Sequence, residues 1–254
     1  MLVVSSNLQH GEPFAGDGGP AERLAVAVRD VPGDVLALQE VDKGQARSGR
    51  VDQTALLAEA LGFRWHRFAA AFAGQAGGLR RRPVPAHVPD GAGYGVAILS
   101  RWPVGSWHVR PLRPGPTRVS RAPTRLGFRV RLDAPRVLLA AVVRAPDGPV
   151  TVGCTHLSTD PPTARRQLAE SAWALRTLPG PHLLLGDLNL GPEDAEQVTG
   201  MSDLARALTF PAWRPARQLD HVLAGPGLAA GAEASAVRLA VSDHRALAVE
   251  VVRT

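Results

Sequence analysis

The chain has 254 residues but only one cysteine, one tyrosine and one lysine, and it has no long apolar run. A single cysteine, Cys154, excludes an internal disulfide and a cysteine-based zinc site, and its apolar surroundings predict a small core residue. No apolar run approaches the roughly 18 residues that a membrane span requires. The first run, Leu2 to Val4, stops at Ser5 without a preceding basic segment, so we expect no signal peptide. These absences predict no stable membrane insertion and a cytoplasmic location.

The charge of the chain comes from arginine, because Lys43 is the only lysine among 29 basic residues set against 23 acidic ones. Guanidinium groups suit phosphate, which indicates a polyanionic substrate such as nucleic acid. A GC-rich coding sequence explains the same richness in Ala, Gly, Pro and Arg, and both explanations stay open. With 45% hydrophobic residues, no internal repeat and no break in composition, we expect one domain over residues 1–254, and a monomer.

The pattern of apolar runs and Gly/Pro breaks predicts a chain rich in strands with a few helices. Helices are predicted at 21–30, 52–61, 161–178 and 201–207. Strands are predicted at 2–7, 34–40, 63–69, 95–101, 103–109, 124–132, 136–143, 150–157, 183–189, 218–223 and 246–252, with 124–132 and 136–143 as a hairpin. The loops 74–93 and 111–123 are rich in Gly, Pro and Arg. The first is interpreted either as a mobile loop that faces phosphate or covers the substrate, or as a solvated disordered insert.

The stretch Leu183 to Asn189 combines a buried strand with polar chemistry. Its apolar run stops at Gly186, after which Asp187 and Asn189 point to one side while Leu188 points into the core. Polar groups close other predicted strands in the same way: Asn7, Glu40, His156, Asp220, and Asp243 with His244. Each alone is explained as a cap, a turn or a core histidine. Together they supply carboxylate, amide and imidazole without a serine nucleophile, and Glu40 with Asp243 offers the hard oxygen ligands that suit Mg²⁺ or Mn²⁺.

The order and spacing of these motifs resemble the endonuclease/exonuclease/phosphatase superfamily, which includes deoxyribonuclease I, AP endonucleases, sphingomyelinases and inositol-polyphosphate 5-phosphatases. The resemblance covers about residues 2 to 252, and its specific parts are Gly186-Asp187-Leu188-Asn189 and Ser242-Asp243-His244. The resemblance implies a deoxyribonuclease I-like α/β fold. This fold is a four-layer α/β/β/α sandwich of two packed, mostly antiparallel sheets flanked by helices, with the site at one end of the sheets.

The resemblance also implies a role for each matching residue. Glu40 would be the principal Mg²⁺ ligand, and Asp243 would lie near the same or a second metal position. Asp220 would hold His244 in its tautomer and favour its protonated form. His244 would then contact the scissile phosphate. Asp187 would orient or deprotonate the attacking water. Asn189 with Asn7 would fix Asp187 and the phosphate oxygens. His156 would donate to a phosphate oxygen or act as an acid toward the leaving group.

The substrate is less clearly indicated than the reaction. Gln9 stands where many AP endonucleases carry an acid, and His156 resembles the histidine branch with deoxyribonuclease I and the sphingomyelinases, which disfavours AP-site repair. Arg47, Arg101 and Arg165 are candidate phosphate contacts or surface ion pairs. Three hypotheses follow: a phosphodiesterase or nuclease, a lipid or small-molecule phosphoesterase, and a catalytically silent phosphate-binding module. The sequence names neither the substrate nor a protein partner.

Overall fold

The structure is a computed structural model that describes residues 1–12, 20–29, 31–77, 82–83, 91–116, 118–121, 128–131 and 133–254. Its helices are α1 (Pro20–Val28), α2 (Gln53–Leu61), α3 (Pro161–Arg176) and α4 (Pro192–Thr199), with short 3₁₀ turns at Gln9–Gly11 and Ala46–Ser48. Its strands are β1 (Leu2–Asn7), β2 (Val35–Lys43), β3 (Trp65–Ala73), β4 (Arg82–Pro83), β5 (Gly93–Ser100), β6 (Val104–Leu112), β7 (Arg118–Arg121), β8 (Phe128–Arg131), β9 (Arg136–Ala145), β10 (Gly148–His156), β11 (His182–Asp187), β12 (Ser202–Asp203), β13 (Asp220–Ala224), β14 (Leu228–Ala230), β15 (Ser235–Arg238) and β16 (Arg245–Arg253).

The described strands form two large sheets and one small ribbon. Sheet I has the order β14-β16-β1-β2-β5-β3-β4 with β15 also beside β16, sheet II has the order β12-β13-β11-β10-β9-β6, and β7 pairs with β8. The pairs β1–β2 and β10–β11 are parallel, and the other pairs are antiparallel. The sheets are therefore mixed but mostly antiparallel, as the sequence predicted.

Three apolar layers separate the elements. Side chains such as Val3 and Ile98 of sheet I and Val152 and Leu183 of sheet II form the core between the sheets. On the outer face of sheet I, α1 and α2 cover the strands, and on the outer face of sheet II, α3 and α4 do so. Because the central strands are buried on both faces, their sequences are continuous apolar runs. The predicted four-layer α/β/β/α sandwich is confirmed.

The helix boundaries follow from local capping chemistry. Asp52 caps α2 by accepting a hydrogen bond from the backbone of Ala55, and Gly62 ends the helix with a φ of 71°. Asp160 caps α3 in the same way, and Pro161 begins that helix. None of the helices in the described ranges has the length and apolar character needed to cross a bilayer.

The strand directions bring one set of ends together. The parallel strands β1 and β2 end on the same side of sheet I, and β10 and β11 end on the same side of sheet II. Since β16 is antiparallel to β1, and β13 is antiparallel to β11, both begin where their neighbours end. The polar residues that close β1, β10 and β11 therefore meet those that precede or open β13 and β16.

Two predictions of secondary structure are wrong. Strand β8 pairs with β7, while β9 pairs with β6 and β10, so residues 124–132 and 136–143 do not form a hairpin. The helix predicted at 201–207 lies earlier, at α4, because Gly200 ends that helix with a φ of 65°, and Ser202–Asp203 joins sheet II as β12. The loop interpretations rest on residues outside the described ones, chiefly 78–81, 84–90, 117 and 122–123.

Candidate active site

Asp187, the last residue of β11, has several donors around its carboxylate. Asn7 Nδ2 donates to Asp187 Oδ2 at 3.0 Å, and the Nε2 atoms of His156 and His244 lie 3.5 and 3.6 Å from the same oxygen. The backbone N–H of Asn189 donates to Oδ1 at 3.1 Å. Asn7, His156 and His244, which are far from Asp187 along the chain, thus converge with the neighbouring Asn189 on one buried acid.

The environment of Asp187 sets its proton affinity. Burial, with the negative charge of Asp220 nearby, raises the pKa of Asp187 to about 6 against the opposing influence of His244. A carboxylate whose pKa is close to neutrality suits the removal of a proton from water, because it is largely ionised at pH 7 yet still basic.

Gly186 allows β11 to approach β10 closely. A Cβ atom at this position would lie 2.0 Å from the carbonyl oxygen of Thr155, so a larger residue would push the strands apart. In the existing register, His156 of β10 lies directly beside Asp187 of β11. The glycine in the Gly-Asp-x-Asn motif therefore brings the imidazole and the carboxylate together.

Glu40 reaches the site from a bulge in β2. The pairing of β2 with β5 shifts register between Leu38 and Val41, and Glu40 has a φ of 53°, which is uncommon for a residue with a side chain. The sequence predicted that this strand ends at Glu40, but the strand continues to Lys43. The bulge lets the strand present one acidic side chain to the pocket without interrupting the sheet.

Glu40 is held in its ionised form by polar neighbours. Burial by itself would raise the pKa of Glu40, but hydrogen bonds from His10 and Asn7 and the charge of His156 outweigh it and lower the pKa to about 2. Asn7 Nδ2 lies 3.3 Å from Glu40 Oε1, so the same amide contacts both Glu40 and Asp187.

His244 and Asp220 form a buried pair. His244 Nδ1 and Asp220 Oδ2 are 2.8 Å apart, and the ring of Phe210 packs 4.9 Å from the imidazole ring. Burial would lower the pKa of His244, but Asp220, with Asp187 and Asp243, raises it to about 9. The imidazole is therefore protonated at neutral pH, and its Nε2 can donate to an anion.

The surroundings of His156 lower its pKa, whereas those of His244 raise it. Burial and the positive charge of Arg136 lower the pKa of His156 well below the usual value, although Glu40 opposes them. The Nδ1 atom is buried and has no hydrogen-bond partner among the described residues. The ring is therefore neutral at pH 7, with one nitrogen able to donate a hydrogen bond and the other able to accept one.

A pocket of about 400 Å³ opens above these groups. Its lining includes six of the predicted site residues: Glu40, Arg47, His156, Asp187, Asn189 and His244. Asn7 and Asp220 are buried beside these residues, and Asp243 is partly exposed next to His244. The structure therefore brings the predicted acids, amides and histidines together at one end of the two sheets.

The predicted arginines fall into two groups. Arg47 lines the pocket and is held by Asp42, with two contacts of 2.8 Å between the guanidinium and the carboxylate. Arg101 lies at the far end of sheet I, where it donates to the carbonyl of Gly33, and Arg165 pairs with Asp194 on the exposed face of α3. Neither Arg101 nor Arg165 lines the pocket, so their prediction as phosphate contacts is corrected.

The pocket lining also contains residues that the sequence did not indicate as site residues, among them Tyr94, Arg136, Phe210 and Arg217. Tyr94 is the only tyrosine of the chain, which is the one available signal; burial and the charge of Glu40 raise its pKa, so its hydroxyl stays protonated and can hydrogen-bond to Glu40. The guanidinium carbon of Arg217 lies over the ring of Phe210, 5.0 Å from its centroid. No local sequence pattern indicates either residue.

Gln9 has a structural role that its place in the sequence did not indicate. Its Oε1 accepts a hydrogen bond of 2.9 Å from the backbone of Asp243, and its own backbone N–H donates to Asn7 Oδ1 at 2.9 Å. It therefore ties the segment before β16 to the end of β1, and so helps to place Asp243 beside His244.

Two groups of side chains have the chemistry to hold a divalent metal. Glu40 is an ionised, largely buried carboxylate whose ion pairs among the described residues are only with His10 and His156, at 3.9 and 4.0 Å. A buried charge without a strong cationic partner fits a hard cation. Asp243 interacts electrostatically with Glu40, and burial raises its pKa. This pair is the ligand set that the sequence predicted.

The second group consists of Asp187, Asp220 and His244, whose potential ligand atoms lie within 4.8 Å of one another. A metal there would have to displace the proton that Asp220 stabilises on His244, because only a neutral imidazole binds a metal. The Glu40 position leaves this proton in place, so it fits better as the principal metal position.

The overall structure resembles several solved proteins. An endonuclease/exonuclease/phosphatase from Beutenbergia cavernae DSM 12333 is 25% identical with a TM-score of 0.70, over 99% of this chain and 71% of that one. A mannosyl-6-phosphatase from Bacteroides thetaiotaomicron VPI-5482 is 18% identical with a TM-score of 0.64, over 99% of both chains. Sphingomyelinase C from Streptomyces griseocarneus is 14% identical with a TM-score of 0.62, over 98% of both chains.

The sequence matches one family along most of its length. The model of the Endonuclease/Exonuclease/phosphatase family aligns with residues 4–244, while no curated protein sequence matches significantly. Members of this family hydrolyse phosphoesters and generally depend on divalent metal ions. Because the aligned region holds every residue of the polar cluster, the chain belongs to the Endonuclease/Exonuclease/phosphatase family.

Proposed function

We propose that the chain is a phosphodiesterase of the nuclease type that depends on Mg²⁺, with Mn²⁺ as an alternative. One observation carries the proposal: a single oxygen of Asp187 lies within reach of three side-chain donors at the floor of a pocket. A binding module needs no buried base surrounded by donors with opposed protonation states.

Asp187 acts on the attacking water. With a pKa of about 6, it accepts a proton at neutral pH, and Asn7 holds its carboxylate in place through the 3.0 Å hydrogen bond. The water would lie between Asp187 and the phosphorus atom, where the base orients it for in-line attack.

The two histidines act on the phosphate. His244 stays protonated through Asp220 and donates to an oxygen that becomes more negative during the attack. His156 is neutral and donates a hydrogen bond to a second phosphate oxygen or to the leaving-group oxygen, without transferring its proton. Asn189 lines the same pocket, where its backbone N–H orients Asp187. The protein thus supplies donors on several sides of the group under attack.

Glu40 is the residue that would hold the metal, with Asp243 near the same or a second position. A bound divalent cation supplies Lewis-acid stabilisation of the charge that develops on the phosphate oxygens. Tyr94 and Asn7 keep the Glu40 carboxylate oriented by hydrogen bonds.

Nucleic acid, a phospholipid headgroup and a small phosphoester are the candidate substrates. The test is hydrolysis of single- and double-stranded DNA, AP-site DNA, RNA, bis-p-nitrophenyl phosphate, sphingomyelin, inositol phosphates and p-nitrophenyl phosphate, each with Mg²⁺, Mn²⁺ or EDTA. Glu40→Gln is the test variant, and Glu59→Gln, on the exposed face of α2, is the control for the same chemical change.

Diester hydrolysis that needs the metal and is lost in Glu40→Gln but kept in Glu59→Gln supports the proposal. Hydrolysis of monoesters alone would replace the phosphodiesterase by a phosphatase. Absence of any turnover, from protein that still binds the metal ion by calorimetry, would favour a silent phosphate-binding module.

A further inference from the structure

Two guanidinium groups, those of Arg47 and Arg136, line the pocket together with Glu40. Both act electrostatically on Tyr94, which hydrogen-bonds to Glu40 and whose ring lies 5.4 Å from the Arg47 guanidinium carbon. Phe210 and Arg217 line the same pocket, and there Arg217 packs over Phe210 and Phe210 packs against His244. Arg47 and Arg136 are thus grouped with Tyr94 and Glu40, and Arg217 with Phe210 and His244.

Arg136 has no counter-ion in the described part of the chain. Its Nε is buried without a hydrogen-bond partner. The nearest acid along the chain, Asp133, is already occupied, because it accepts hydrogen bonds from Ser158 Oγ at 2.7 Å and from the backbone of Gly115 at 2.8 Å. A guanidinium that lines a pocket without a counter-ion among the described residues suits an anionic ligand, whose charge would offset the cost of the unpartnered buried nitrogen.

Arg47 is held in place by its neighbours, and only some of its hydrogen-bond donors are engaged. Its Nε and Nη2 contact the fully buried carboxylate of Asp42, which leaves Nη1 without a partner among the described residues. The guanidinium packs over Tyr94, and Tyr94 stacks on Phe72 at a centroid distance of 5.2 Å. A positioned arginine loses little freedom when it binds an anion.

We propose that Arg47 and Arg136 form a subsite for a second phosphate of the substrate, next to the phosphoester that is cleaved. The preferred substrate is then a phosphodiester that bears an additional phosphate, as a nucleotide within a strand or a 3′-phosphorylated nucleotide ester does. This proposal rests on the proposed function, since it concerns the same pocket. It disfavours diesters with a cationic headgroup, because two guanidinium groups would repel that charge.

The test compares two substrates that differ only in the second phosphate. These are thymidine 5′-(p-nitrophenyl phosphate) and the same compound with a 3′-phosphate, followed by release of p-nitrophenol and by chromatography of the products. For the wild-type protein we expect kcat/KM to be about tenfold higher for the 3′-phosphorylated compound, as one charge-assisted hydrogen-bonded contact provides. Raising the salt concentration should reduce this ratio.

The variant Arg136→Gln should lower the ratio by about tenfold. Because Arg136 also acts on His156, the ratio is the quantity compared, since a change in activity that is common to both substrates cancels in it. Arg136→Lys should restore part of the ratio, because it keeps the charge but loses the planar fork. Arg217→Gln removes one positive charge beside Phe210 in the same pocket, and Arg165→Gln removes one from the surface. Neither should change the ratio.

If Arg136 instead contacts the phosphate that is cleaved, both substrates lose activity equally in Arg136→Gln and the ratio stays constant, which overturns the proposal. A wild-type ratio near one overturns it as well. If neither substrate is hydrolysed, the proposed function fails, and calorimetry still decides on the subsite. Thymidine 3′,5′-bisphosphate should then bind wild type more tightly than thymidine 5′-monophosphate does, and Arg136→Gln should abolish the difference.

Discussion

Replacement of Asp220 by asparagine tests whether the buried pair with His244 controls the pH range of catalysis. The substitution keeps the size of the side chain and an oxygen that can accept from His244 Nδ1, but it removes the negative charge. The pKa of His244 is raised from 6.5 to about 9, with Asp220 as the strongest of the raising influences. Since one pKa unit corresponds to about 1.4 kcal/mol, the protonated ring is favoured by roughly 3 kcal/mol.

Without the charge of Asp220, we expect the pKa of His244 to fall to about 6.5 or below, because burial still disfavours the charged ring. At pH 8, the protonated fraction would then drop from about nine-tenths to about 3%, so kcat should fall roughly thirtyfold. At pH 6.5, the loss should be only about twofold. The acid limb should also move to lower pH, because Asp220 contributes to the raised pKa of Asp187.

The assay is the pH dependence of kcat for bis-p-nitrophenyl phosphate between pH 5 and 10 at saturating metal concentration. The chain offers a matched control in Asp203→Asn. Asp203 pairs with His221 at 2.7 Å, and both side chains are fully buried. This control should lower the free energy of unfolding but leave the pH profile unchanged. An Asp220→Asn profile that is lower by the same factor at every pH would refute the assignment of the proton on His244.

Three further predictions concern the same site. Asp187→Asn should abolish turnover while the melting temperature stays close to that of wild type, and wild-type kcat should rise with pH through about 6 as Asp187 loses its proton; residual activity that keeps this acid limb would exclude Asp187 as the base. Glu40→Gln should raise the Mg²⁺ concentration for half-maximal activity at least tenfold, and EDTA should abolish wild-type activity; an unchanged metal titration would place the metal elsewhere. Gly186→Ala should lower the free energy of unfolding by about 3 kcal/mol and reduce kcat, because its Cβ would meet the Thr155 carbonyl. At Gly191 an added Cβ would meet only Glu193 Oε2, at 3.8 Å, so Gly191→Ala should cost no more than the loss of a glycine N-cap of α4 and leave kcat unchanged, as chemical denaturation and kinetics would measure.

Several features of the protein follow from the sequence alone. Apolar runs such as Leu183 to Leu185 specify strands buried on both faces, and capping residues such as Asp52 and Gly62 specify helix ends. These signals are local, since each depends on residues within one or two turns. The polar residue that closes each run is visible for the same reason, because a carboxylate or imidazole at the end of an apolar strand requires a partner.

Local signals did not decide which elements pair. Strand β8 pairs with β7 rather than β9, and the helix expected at 201–207 ends at Gly200, before that stretch begins. The pairing error arose because apolar patterning alone does not distinguish neighbours in the sequence from neighbours in a sheet. The helix error arose because α4 lies before this stretch and ends at Gly200. The bulge at Glu40 was not predicted from local signals either, because it depends on the register in which β2 pairs with β5.

The tertiary structure alone decided the composition of the pocket. Asn7 contacts Asp187 across 180 positions of the chain, and Gln9 bonds to the backbone of Asp243 across 234. The tertiary structure also separated Arg47, which lines the pocket, from Arg101, which lies at the other end of sheet I. In the sequence, Arg101 ends one predicted strand and Arg47 follows another. Sheet order and strand direction set these distances, and both are determined by the packing of the two sheets as a whole. Residue types thus determined the chemistry, and packing determined which of them act together.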